Sequence, residues 1–231
     1  MRREHAFGAL GLALLVTGHY MGLVLAPPEA MMGEVGRILY VHVPTAWTSL
    51  LCYTAALVGA VGMLWDGRRG WEAMLEATVE VGLLLNVMLL IQGSIWARPT
   101  WGVWWTWDAR LTTAAIMAVF FATVLVLRNV IDAPERRSRA TAVATIVAYV
   151  DVILVYYSVK LWNTLHQPFS SPKTVDGEMV TPLRVAAFGM IFLAIGFSIA
   201  RYRIALRRLE AEDDAPEPPP LPPQINLEAR P

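Results

Sequence analysis

Apolar positions in this 231-residue chain are gathered into six nearly uncharged runs, at 6–25, 46–64, 79–96, 111–127, 140–159 and 185–200. Each run is about 16 to 20 residues long, enough for an α-helix to cross a hydrocarbon layer of about 30 Å. They are rich in Leu, Ala, Met and Gly and lack the regularly spaced turn residues that would divide them into barrel strands. The pattern predicts an all-α membrane protein of six transmembrane helices, the last the shortest. The first run follows Met1-Arg2-Arg3 as a signal peptide would. It is longer than a signal core, though, and no small-x-small cleavage site precedes Pro27-Pro28, so it is expected to remain as a helix.

Composition agrees. Hydrophobic residues make up 56% of the chain and charged residues 16%, against about 25% charged in soluble domains. The net charge is zero, but its distribution is informative. With both termini cytoplasmic, the inner side holds twelve arginines, among them Arg2, Arg3, Arg68, Arg69, Arg128, Arg136, Arg139, Arg207 and Arg208. The outer side then holds six cations: Arg37, Arg98, Arg110, Lys160, Lys173 and Arg184. That is the positive-inside bias, and it predicts the orientation. The expected domain is 1–208, followed at 209–231 by an acidic and then proline-rich cytoplasmic tail, disordered for want of apolar mass. The single Cys52 falls within a span, which excludes an intrachain disulfide and dithiol chemistry. No nucleotide-binding loop or Ser-His-Asp arrangement is present, so the chain is not expected to bind ATP or to be an enzyme, and nothing in it suggests nucleic acid.

The unusual chemistry lies in the expected outer connections. Between 96 and 107 there are five tryptophans in twelve residues. An aromatic belt needs only one or two per helix end, whereas here Gly102, Asp108 and Arg110 are interleaved with the cluster. If Pro99 opens a helical turn, Trp101, Trp104, Trp105 and Asp108 share one face at i, i+3, i+4 and i+7, while Trp107 points into the bundle. Such a floor suits a large planar apolar ligand. His42, expected in the first outer connection, and His166, in the third, flank it. Each has an ordinary reading as a hydrogen-bonding interfacial residue. Presented together to one aromatic surface, they have another, as imidazoles on opposite sides of a haem iron. No Cys, third His or carboxylate cluster completes a zinc site. Arg37, Arg98 and Arg110 bracket the same surface and match haem propionates, or else mark helix ends, with Arg110 pairing to Asp108. Asp108 is expected to orient the loop. His5 sits at the inner terminus, and His19 is expected to be a packed core residue. Glu76, Glu80, Asn86, Gln92 and Asp151 form either interhelical hydrogen bonds or a polar track through the bundle.

The string Trp101-Gly-Val-Trp-Trp-Thr-Trp-Asp-Ala-Arg-Leu-Thr resembles the WWD signature of the haem-handling proteins of cytochrome c maturation. With Arg37…Tyr40-Val-His-Val-Pro-Thr-Ala-Trp47 and Trp162-Asn-Thr-Leu-His-Gln-Pro168, the chain is similar to the CcmC family, the haem exporter and delivery components of the system I pathway. The resemblance covers nearly everything but the tail; Arg98 stands where a Lys is frequent. It implies a multi-pass protein of the bacterial inner membrane whose WWD segment, 96–112, faces the periplasm. It implies haem b bound by His42 and His166 as axial ligands, on a platform shaped by Trp101, Trp104, Trp105, Trp107 and Asp108. The implied partners are the haem chaperone CcmE, the small subunit CcmD and the CcmA–CcmB ATP-hydrolysing pair. Two further readings compete with delivery. A ligase of the larger WWD type would attach haem to an apocytochrome unaided; a solute permease with an aromatic gate would contain no haem and depend on Glu80 or Asp151.

Overall fold

The computed structural model describes residues 2–166 and 175–214. The proline run of the expected tail, Lys173 and the Gln167-Pro168 end of the third motif lie outside the described residues. Six helices follow one another: α1 (Arg3–Tyr20), α2 (Leu39–Asp66), α3 (Arg69–Trp101), α4 (Ala109–Val130), α5 (Pro134–Leu161) and α6 (Gly177–Asp213). All six are long and apolar enough to cross a membrane, and among the described residues there is no β-strand. The chain is an all-α membrane protein of six spans.

Tight turns and caps set the connections. Gly67 and Gly102, both with left-handed backbone (φ 69° and 77°), end α2 and α3, a conformation in which a Cβ is costly. Asp108 opens α4 by accepting a hydrogen bond from the Leu111 N–H at 2.9 Å. Pro134 starts α5, where its missing donor costs nothing. Between α1 and α2 the chain passes through a π-helical turn, Met21–Leu25, and a 3-10 turn, Glu34–Ile38.

Several helices overrun the expected runs. Instead of being the shortest, α6 is the longest at 37 residues, about 55 Å. It continues through Leu209, which is fully buried, to Asp213, so the folded part passes the boundary expected at 208. The reason is electrostatic: its charged ends find partners. Arg203 meets Glu4 at 2.5 Å, Arg201 grips Glu80 at 2.5 and 2.8 Å, Arg208 meets Glu76 at 2.6 Å, and Asp213 pairs with Arg69. Arg128 of α4 closes the group against Glu72 at 3.2 Å and Glu76 at 2.5 Å, all three side chains buried. These pairs gather the N-terminus of α1, the C-terminus of α6 and the α2–α3 and α4–α5 turns at one end of the bundle, here the arginine-rich end. Glu76 and Glu80 belong to this end and not to a track through the membrane.

Two kinds of packing hold the spans. Tyr53 of α2 stacks on Phe121 of α4 at 3.6 Å between ring centroids within a fully buried cluster that also holds Leu75 and Met117. Antiparallel α1 and α6 instead meet backbone to backbone. A Cβ at Gly11, Gly18 or Gly189 would strike the opposite main chain, which is how small residues bring membrane helices together.

Candidate functional site

The other end of the bundle gathers His42, His166 and the tryptophan segment. Asp108 organises it: one carboxylate oxygen caps α4, and the other accepts from the Leu165 N–H at 2.9 Å. It thereby ties the α5–α6 connection to the start of α4. Next to Leu165, the His166 N–H donates to the Thr164 hydroxyl at 2.8 Å. His42 is in the first turn of α2 rather than in a connection. Pro44 lies inside that helix, where its absent N–H leaves the Tyr40 carbonyl without its usual donor but does not stop the helix. The two imidazoles lie with their centroids 6.3 Å apart and their planes 32° from parallel.

A crevice of about 120 Å³ opens around them, with His42, His166, Trp101, Trp105 and Arg110 in its walls. Trp47, which ends the first motif, and Trp96, which opens the tryptophan segment, line it too, as do Gly93, Met117 and Tyr156, which were not singled out from the sequence. The signal was a helical stripe, His42, Ala46, Trp47 and Leu50 on α2 facing Leu89, Gly93 and Trp96 on α3. It becomes visible only once α2 is extended back to Leu39. Trp96 is fixed by its indole N–H donating to the Val35 carbonyl at 3.2 Å and by an edge-on contact with Trp101 at 5.2 Å.

The tryptophans do not form one helical face. Pro99 lies within α3 and not at a helix start; α3 runs to Trp101 and stops at Gly102. Residues 103–108 are irregular because Asp108 begins a new helix. Trp101 and Trp105 therefore turn into the crevice, whereas Trp104 is 59% exposed. Trp107, expected inside the bundle, is 81% exposed and meets Trp105 edge-on at 5.8 Å. Arg37 also lies away from the crevice. It pairs with Glu34 and donates to the Gly22 and Ala26 carbonyls, both at 2.8 Å, closing the π-helical turn. Arg98 donates to the Gly102 carbonyl at the end of its own helix. Arg110 lines the crevice and donates to the Val155 carbonyl at 3.2 Å.

The polar atoms around the crevice are incompletely satisfied. Among the described residues, His42 Nδ1, Trp105 Nε1 and the Thr106 and Thr112 hydroxyls are buried without a hydrogen-bond partner, a condition that native sites relieve with ligands or water. Gln92 reaches only Thr45, at 3.4 Å, and Asn86 the Ala114 carbonyl, at 3.4 Å. Among the described residues no three His, Cys, Asp or Glu side chains gather around a point, so the arrangement offers two imidazoles and an aromatic wall, not a bare-metal cage. Cys52 is elsewhere, in a groove of α2, α3 and α6 towards the arginine-rich end.

Known proteins place the chain. The family described as CcmC, Heme exporter protein C, matches residues 2–215. Heme exporter protein C of Haemophilus influenzae is 34% identical over 211 residues, 89% of this chain and 85% of the relative. That of Escherichia coli K12 is 31% identical over 201 residues, 86% and 82% of the two chains. A putative cytochrome c biosynthesis ccmC-like mitochondrial protein of Marchantia polymorpha is 32% identical over 187 residues, 80% and 79%. With a match that runs from the start of α1 past the end of α6, the chain belongs to the CcmC, heme exporter protein C, family.

Proposed function

We propose that this protein binds haem b at the tryptophan end of the bundle, with His42 and His166 as axial ligands, and hands it to the haem chaperone CcmE during cytochrome c maturation. The observation that carries the reading is the spacing of the two imidazoles. Two metal–nitrogen bonds of roughly 2 Å plus two ring radii separate the centroids of an axial pair by about 6 Å, and the observed separation is 6.3 Å. The family names, heme exporter and cytochrome c biosynthesis, point to the same cargo.

In this reading each residue has its own task. His42 and His166 hold the iron from two elements, so the site exists only while Asp108 keeps the His166 connection against α4. Trp101 and Trp105 bound the ring, and Arg110 faces a propionate. Arg37 acts through the fold, by fixing the chain that leads into α2. The crevice, about 120 Å³, is smaller than the roughly 300–1,000 Å³ of pockets that enclose a ligand. Haem is therefore held by one part of its ring and stays open to the surface, where the exposed Trp104 and Trp107 meet the chaperone. A carrier that must release its cargo is served by such partial enclosure. The orientation that fits is the one with the arginine-rich end in the cytoplasm of a bacterium and the haem site towards the periplasm, the inner membrane being spanned six times. CcmD and the CcmA–CcmB pair are the expected partners in that membrane. The chain works as a carrier, not as an enzyme.

Co-expression with the chaperone tests delivery. His42→Ala and His166→Ala should each lower haem-loaded chaperone more than about 10-fold with both proteins at normal levels in the membrane. Full loading in both variants would overturn the reading.

A further inference from the structure

At the arginine-rich end, most arginines that face a neighbouring helix meet a carboxylate: Arg69, Arg128, Arg137, Arg201, Arg203 and Arg208 all do. Arg2 and Arg207 have no ion pair among the described residues, and both line one cleft of about 510 Å³ between α1 and α6. The one carboxylate in that cleft, Glu4, is already matched by Arg203 at 2.5 Å. The cleft mouth therefore carries the uncompensated charge of two guanidinium groups, beside His5.

Below the charges the walls are apolar. Gly196 approaches the Gly8 backbone so closely that a Cβ there would lie 2.8 Å from the Gly8 nitrogen, whereas a Cβ on Gly8 itself would meet nothing within 4 Å. The two glycines thus leave an open trough along the helix pair. Phe197 and Ile204 at its side are 55% and 56% exposed, so the trough opens towards lipid and not into the protein. A cationic mouth at the end of a span, continued by a lipid-facing apolar trough, matches a molecule with an anionic head and a hydrocarbon chain. A soluble acidic peptide has nothing to place in the trough, and a free phosphate has no need of it.

We propose that this cleft is a binding site for an anionic glycerophospholipid, its phosphate held by Arg2 and Arg207 and one acyl chain lying over Gly8. The site is independent of the haem reading. Native mass spectrometry of the full-length protein, from micelles holding equal phosphatidylglycerol and phosphatidylethanolamine of the same acyl chains, tests it. The wild type should retain one phosphatidylglycerol in preference. The double variant Arg2→Gln/Arg207→Gln should lose that preference about 10-fold or more, while Arg136→Gln/Arg139→Gln, which alters arginines of another surface that have no ion pair among the described residues, keeps it. Because Arg2 and Arg207 are exposed and have no ion pair among the described residues, the double variant should elute as the wild type does. Gly8→Leu, which fills the trough with the charges intact, should lower retention of both lipids. Equal retention of the two lipids by the wild type, or undiminished phosphatidylglycerol in the double variant, would overturn the proposal. So would equal losses in the Arg136/Arg139 control, displacement by inorganic phosphate, or a dimer adduct that disappears with Gly8→Leu, which would mean that a second copy fills the trough.

Discussion

At the scale of single residues, the candidate site depends on Asp108 more than on any tryptophan. Its two oxygens serve two purposes, capping α4 and holding the Leu165 N–H, and only the second brings His166 to His42. Asp108→Ala should destabilise α4 by about 1 kcal/mol, the ordinary cost of a lost N-cap. Its larger effect should be on haem, with bound haem in the purified variant falling well below wild type while His42 stays in place. A variant with full haem occupancy would show that the tether is dispensable. The tryptophans divide by exposure. Trp104→Ala, at a side chain 59% exposed, should leave the haem absorption spectrum unchanged and reduce loading of the chaperone. Trp105→Ala, at a wall of the crevice, should change the spectrum itself. The residue types at this site were legible in the sequence, since His42, His166 and Arg110 stand out by chemistry and position. Where Trp107 points was not, because one irregular residue more or less between Gly102 and Asp108 reverses a side chain.

At the scale of elements, the six apolar runs marked the helices but not their lengths. A run counted by lack of charge ends at the first arginine, and a helix does not if that arginine has a partner on the next helix. This is why α6 passes Arg201, Arg203 and Arg208 without breaking, each matched to a glutamate. His42 is helical for a different reason: α2 accommodates Pro44 inside it, as α3 does Pro99, so neither proline marks a helix boundary. The α1–α6 pair carries a test of its own. Gly189→Leu places a side chain against the Leu15 backbone, and overpacking of this kind costs about 1–3 kcal/mol. Its thermal midpoint in detergent should fall, whereas that of Gly8→Leu, which meets open space, should not. Equal midpoints for the two would mean that α1 does not dock on α6 as described.

Across the whole molecule, the two ends are built on opposite logic. The arginine-rich end is closed by ion pairs whose buried members, Glu72, Glu76 and Arg128, satisfy one another. Removing one partner strands the others, so Arg128→Ala should cost about 3–5 kcal/mol, seen as a large loss of folded protein from the membrane. The combined change Glu72→Gln/Glu76→Gln/Arg128→Met should recover much of it, and failure to recover would show that charge pairing is not what Arg128 provides. The tryptophan end is left unsatisfied, with His42 Nδ1, the Trp105 indole N–H and the Thr106 hydroxyl buried without a partner among the described residues. The buried core of the first end is closed by its own ion pairs; in the proposed reading the second end is completed by haem. The central claim, that His42 and His166 together hold haem iron, is tested most directly by the absorption and paramagnetic resonance spectra of the purified protein. A low-spin bis-imidazole signature that His42→Ala and His166→Ala each abolish is expected; the same signature in both variants would overturn the assignment.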